Sequence, residues 1–183
     1  NSFEALYTSG DVELSPYSNE IHTIFTDRDG TLWLGYEDAF SSFEPATGRF
    51  RHYIPRALGL PPLGAVKRFD QTSDGLIWAA TSGGLLEIDI AGKRILAHRH
   101  EDDNPNSLSS NTLVSVAVDA ADKVWAISRA AGITVFDTKN NASFRYAHDS
   151  LDQSSLSSNE LNDVYRDREN RIWIGTYEGL DLF

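Results

Sequence analysis

The sequence has no cysteine and no methionine. Without cysteine there is neither a disulfide nor a thiol nucleophile, and the compartment is left open, an oxidising one being permitted. Methionine is missing even at position 1, so the expectation is a chain cut from a longer one by processing or by design. Nothing approaches the roughly 20 apolar residues of a membrane span. The start, NSFEALYTSG, has neither the basic region nor the apolar core of a signal peptide. Positive charge is scarce: 16 Lys and Arg stand against 27 Asp and Glu, a formal net charge of −11. That balance argues against nucleic acid or a membrane surface as a partner, because like charges repel, and its plainest consequence is solubility. No stretch holds a 3.6-residue apolar period over three turns, which excludes long helices. At 183 residues and 40% hydrophobic, what remains suffices for one all-β domain, 1–183, with a sizeable core.

The four tryptophans, Trp33, Trp78, Trp125 and Trp173, stand 45, 47 and 48 residues apart. Upstream of each lies an apolar pair: Ile21 and Ile24, Val66 and Phe69, Leu113 and Val116, Leu161 and Val164. Fourteen residues before three of the tryptophans is an asparagine, Asn19, Asn111 and Asn159, with Gly64 in the second unit. Both residue types suit loop-to-strand corners. Polar corners, TDRDGT, QTSDGL, DAADKV and RDREN, read as tight hairpin turns between a first strand and a tryptophan-bearing second one. A third strand follows in AFSSFEP, GLLEIDI, GITVFDT and GLDLF, and a fourth in GRFRHYI, KRILAHR and ASFRYAH. Four antiparallel strands per unit of about 45 residues is the signature of a β-propeller blade. The units are 19–63, 64–110, 111–158 and 159–183, the last completed by an N-terminal strand at 3–8. Two arrangements satisfy this pattern, a closed four-bladed ring or an open arc of a larger propeller, and the arc would expose apolar faces at both ends.

The phrases DRDGTLWLG and RDRENRIWIGTYEGLDLF, with the linkers EDDNPNSLSSN and DSLDQSSLSSN, resemble the two-component regulator propeller repeat. Units one and two depart from it in their linkers, VELSPYSN and RALGLPPLG, and unit three reads WAIS where WIGT is expected. The resemblance implies part of the extracytoplasmic, periplasmic sensor region of a membrane-anchored signalling protein, such as a hybrid histidine kinase or diguanylate cyclase. It also implies a carbohydrate-type signal.

Tryptophan faces can stack on sugars, but residues at one position in every unit, between apolar neighbours, are expected to be core. Asp27 to Gly30, DRDG, starts like a calcium loop yet lacks the alternating ligands and distant glutamate of an EF-hand. An Asp side chain bonding nearby amides in a turn fits better. His98 and His100 share one strand face without an evident third ligand, so they read as surface or blade-edge residues, and neither metal nor cofactor is expected. Function on a repeat scaffold is sought where the repeats differ. Loops after the second strands carry Tyr36, Glu37 and Asp38; Ser82 and Gly83; Arg129 and Ala130; Tyr177 and Glu178. Arg129 could grip a carboxylate or a sugar hydroxyl. On the inner strands, His22, Lys67, Arg68, Asn162 and Asp163 are expected near the central channel. The first functional expectation is a non-catalytic sensor propeller that binds a small molecule, a carbohydrate or a protein. The alternative is a structural or dimerisation module that self-associates through its end blades. An enzyme of the propeller lyase or glycosidase kind comes third, since fold alone does not exclude one.

Overall fold

The computed structural model describes residue 2, residues 5–140 and residues 142–183. Fifteen strands form four antiparallel sheets. The first blade is β1 (Thr23–Thr26), β2 (Leu32–Gly35), β3 (Phe40–Glu44) and β4 (Arg49–Tyr53), hydrogen-bonded in that order. The second is β5 (Val66–Gln71), β6 (Ile77–Thr81), β7 (Gly84–Asp89) and β8 (Arg94–His98), and the third is β9 (Leu113–Val118), β10 (Lys123–Ser128), β11 (Ile133–Asp137) and β12 (Ala142–Tyr146). The fourth has three strands, β13 (Leu161–Arg166), β14 (Ile172–Thr176) and β15 (Leu180–Leu182). In each blade the polar corner joins the first two strands: Phe25 pairs with Trp33, Asp70 with Trp78, Ala117 with Trp125 and Tyr165 with Trp173.

Blades stack in sequence order, so each sheet has two faces to bury and each interface gathers its own core. Trp33 lies between blades one and two with Phe40, Val66, Phe69 and Leu86. Trp78 lies between two and three with Leu85, Leu108, Val116 and Val124. Trp125 packs with Ile127, Leu161, Val164 and Ile174 between three and four. The central strand β6, IWAAT, is buried at all five positions because both its faces are covered. At Gly35 the approach of blade two leaves no room for a side chain: an added Cβ would stand 2.8 Å from Val66.

Packing runs from one blade to the next along the chain, and no strand of blade one packs extensively on blade four among the described residues. The arrangement is an open arc. Its far face explains the one tryptophan that departs from the expected core: Trp173 is only half-buried, its ring lying under the Arg171 guanidinium at 5.3 Å. Leu180 and Leu182 on the last strand are 66 and 54% exposed, whereas Phe183, just after it, turns back onto the rings of Trp125 and Tyr146 at 4.6 and 5.5 Å. The strand expected at 3–8 falls partly outside the described residues; residues 5–8 carry no strand and are exposed.

The serine-leucine linkers fold as repeated staples. His100 N–H donates to Asn111 Oδ1 and His148 N–H to Asn159 Oδ1, each at 2.8 Å, and Thr8 N–H meets Asn19 Oδ1 at 2.9 Å. These asparagines therefore close their loops with side-chain acceptors. Leu108, fully buried, anchors the third-blade linker, whereas Leu151 in the next linker is 94% exposed. Replacing Leu108 with alanine is expected to cost about 2–5 kcal/mol by transfer and cavity formation, and Leu151→Ala about 0.5 kcal/mol or less. Urea denaturation of the two variants checks this.

Candidate functional site

The corner before each tryptophan ends the inner strand and sets where the second strand begins. Asp27 Oδ1 accepts the amides of Asp29 and Thr31, at 3.0 and 2.9 Å, while Oδ2 accepts the Trp33 indole N–H at 2.8 Å. Asp119 does the same for Ala121, Lys123 and Trp125, and Asp167 for Glu169, Arg171 and Trp173. The DRDG stretch is thus an aspartate-closed turn. Unit two breaks the pattern. Thr72 takes the aspartate's place and turns its hydroxyl to Asp74 Oδ1 at 2.6 Å, so the buried Trp78 Nε1 has no acceptor. Neighbouring corners also grip each other: Arg28 Nη1 donates to Thr72 O at 2.8 Å, and Asp122 accepts Ser73 N–H and Oγ–H at 2.7 and 2.6 Å.

Strands β1, β5, β9 and β13 converge on the inner side of the arc, and two carboxylates tie the last three together. Asp163 on β13 accepts Ser115 Oγ–H of β9 at 2.6 Å, the Val164 amide at 2.9 Å and Arg68 Nη1 of β5 at 3.0 Å. Asp70 on β5 accepts the Gln71 amide and, across the blade boundary, the Val118 amide, both at 2.7 Å. Burial pushes the Asp70 carboxyl above its ordinary value, opposed by those two amides and by Arg166 and Arg68. The strands surround a cavity of about 490 Å³ lined by Thr23, Lys67, Arg68, Asp70, Tyr165 and Arg166 among others. We refer to it as the inner mouth.

The remaining candidates fall into three places. Arg68 belongs to the mouth, whereas His22, which pairs with Glu20 at 3.5 Å, does not line it. Arg129, Tyr177 and Glu178 are exposed on adjoining loops: Arg129 O accepts the Leu161 amide, and the Tyr177 amide donates to Glu160 O. Arg129 makes no ion pair among the described residues. Glu37 is exposed, but Asp38 is a structural clasp, its Oδ1 accepting the Leu63 and Gly64 amides at 2.9 and 2.7 Å. Tyr36 was expected on a loop and is instead fully buried with Leu34, Ala39 and Phe50. It stands three residues after Trp33, where the other units have Thr81, Ser128 and Thr176, whose hydroxyls close the following turn. Of the two histidines on the blade edge, His98 stacks on Trp78 at 5.6 Å, and His100 Nδ1 lies 2.6 Å from Leu108 O.

The turn at Asp27 was expected from the sequence, but the bond from its second oxygen to the Trp33 indole, and the same spacing at Asp119 and Asp167, were passed over although the spacing was visible. Also passed over were Asp70, Ser115 and Arg166, for which inner-strand position was the only signal.

Four blades stacked in an open arc define a β-propeller segment. Residues 72–179 match the SMP-30/Gluconolactonase/LRE-like region, and residues 18–38 match the two-component regulator propeller. The first match spans more than half of the chain, which therefore belongs to the SMP-30/gluconolactonase/LRE-like family; the second shows that its first blade carries the regulator repeat. No curated protein matches it in sequence. Among solved structures, the extracellular domain of a putative hybrid two-component system of B. thetaiotaomicron is 22% identical, with 91% of this chain and 22% of that one covered and a TM-score of 0.73. PorZ, a surface component of the type-IX secretion system of Porphyromonas gingivalis, is 16% identical over 98% of this chain and 28% of its own, with a TM-score of 0.70. Virginiamycin B lyase from Staphylococcus aureus is 15% identical over 98% of this chain and 58% of its own, with a TM-score of 0.65. At such identities the likeness establishes the propeller fold. The chain spans less than two thirds of each.

Two predictions follow from the corners. Thr72→Asp supplies the acceptor that Trp78 lacks and is expected to stabilise by about 1 kcal/mol, whereas Asp119→Ala leaves the Trp125 indole N–H unpaired and costs about 1–3 kcal/mol; thermal melts measure both. The Trp173 indole N–H, then the Arg171 amide and guanidinium, hold Asp167 well below the usual carboxylate range. A depressed folded-state pKa gives stability that is present above the unfolded carboxylate value near 4 and lost as pH falls below it. Asp167→Asn should therefore be less stable than the parent chain near neutrality and lose less stability on acidification, the two converging at low pH; urea melts followed by tryptophan fluorescence between pH 7 and pH 2 check this.

Proposed function

We propose that this chain is a non-catalytic binding segment of a sensor propeller, part of the periplasmic input region of a membrane-anchored signalling protein, with the inner mouth as its ligand site. The observation that carries the reading is the Arg68–Asp163–Ser115 network, which joins blades two, three and four beside a cavity. A ligand seated there would bear on three blades at once and bias how they pack, which is what a sensor must convert into a distant response. The regulator repeat and the extracellular setting printed for the B. thetaiotaomicron relative support the same assignment. Against an enzyme, both mouth carboxylates are occupied by amides, a hydroxyl or a guanidinium, and general-base work needs a carboxylate free to take a proton.

One specific observation favours a second reading, a structural or dimerisation module: the exposed Leu180 and Leu182 on the last strand, beside the half-buried Trp173, form an apolar face suited to another blade.

The test is a broad thermal-shift screen of small molecules and oligosaccharides, repeated on Arg68→Ala. Because the Arg68–Asp163 pair is partly exposed, the variant should lose no more than about 1 kcal/mol of stability while hits from the parent lose affinity. Hits unchanged in Arg68→Ala would move the site elsewhere, and hydrolytic or lyase turnover of a lactone or glycan would overturn the non-catalytic assignment.

A further inference from the structure

The inner mouth has a charge opposite to that of the chain around it. The whole sequence carries −11, yet the cavity is lined by Lys67, Arg68 and Arg166 against a single carboxylate, Asp70. That carboxylate is already engaged, each of its oxygens accepting a backbone amide at 2.7 Å. Asp163, just outside the lining, answers only part of Arg68, through Nη1. Among the described residues, Lys67 and Arg166 take part in no ion pair.

We propose that the mouth binds a small oxyanion-bearing molecule, a carboxylate or a phosphate, held by Lys67, Arg68 and Arg166. This rests on the reading of the mouth as the ligand site and adds the chemistry of what enters it. Guanidinium groups present paired donors that match the two oxygens of a carboxylate or phosphate, and a charge-assisted bond is stronger than a neutral one. Lys67 adds a mobile ammonium at the rim, where it is exposed. The cavity, about 490 Å³, lies within the range that holds one small molecule. Lys67 and Arg68 come from blade two and Arg166 from blade four, so an anion between them would draw together two blades that are not neighbours in the stack. A neutral ligand would leave Lys67 and Arg166 without an ion-pair partner among the described residues, beside Arg68, which Asp163 answers only in part. An anion would supply that partner, and this pairing is the free energy available to shift the packing.

The experiment is isothermal titration of the 183-residue chain with inorganic phosphate, galacturonate and galactose, the last two differing in a carboxylate. Galacturonate or phosphate should bind at least about tenfold more tightly than galactose. Which of the two anions binds identifies the oxyanion. Lys67→Ala and the Lys67→Ala/Arg166→Ala double variant should weaken that binding stepwise with unchanged melting temperatures, and raising salt from about 50 to about 500 mM should weaken it further. Galactose binding as tightly as galacturonate, or anion binding indifferent to both variants, would overturn the oxyanion proposal and leave the mouth as a site for neutral ligands. Failure of both anions at millimolar concentration would overturn it as well; the ligand-site reading itself falls only if the broad screen on the same chain is also empty.

Discussion

One interaction recurs in three of the four blades: an aspartate six residues ahead of a tryptophan, closing the turn with one oxygen and holding the indole N–H with the other. It fixes three things together. The turn amides are satisfied without water, the second strand leaves the corner in one register, and the largest side chain of the blade is pinned so that its ring fills the next interface. A buried indole N–H without an acceptor is costly, so the pairing of turn and ring is a constraint on each repeat. The second unit omits it and compensates with contacts to its neighbours, from Arg28 on one side and Asp122 on the other.

Because each tryptophan is buried by the blade after it, the stack is cooperative in one direction and unfinished at its end. Trp33, Trp78 and Trp125 are 2% exposed, while Trp173, with no following blade of this chain against it, is only half-buried and leans on Arg171. Placing four first strands side by side has a second consequence on the inner side of the arc. Polar residues there cannot be buried without partners, and they find them across blade boundaries, which is how Arg68, Ser115 and Asp163 come to share one network. The inner mouth is a product of the same stacking that builds the cores, and any change in blade spacing is felt there first.

Much of the fold was legible in the sequence, since tryptophan spacing gave the unit length and the polar corners gave the turns. Burial was less so. Tyr36 reads as a loop residue because it follows the second strand where the units diverge, whereas the Tyr17 ring of the N-terminal segment lies tilted against it at 5.7 Å. Trp173 reads as core by analogy, but its burial depends on a neighbour that its own strand does not encode. The mouth was half legible: Arg68 and Asp163 were expected on inner strands, yet bulges at Val66/Arg68 and Leu161/Asp163 shift the register there. Alternation along a strand cannot predict which side chains face inward beyond such a bulge. Asp70 and Arg166 went unnoticed for that reason, and His22 stands just ahead of its strand, outside the lining of the mouth.

The account stands on the aspartate–indole pairing, and the most direct test is the proton spectrum of the four indole N–H groups in ¹⁵N-labelled protein. Three resonances should lie downfield, as expected for N–H groups bonded to carboxylates, and each should shift when its own aspartate is replaced by alanine. The fourth, assigned to Trp78, should lie upfield of them and move downfield in Thr72→Asp. Four equivalent resonances, or a Trp78 signal already downfield in the parent chain, would contradict the claim that one repeated contact, absent from the second unit, organises the blades.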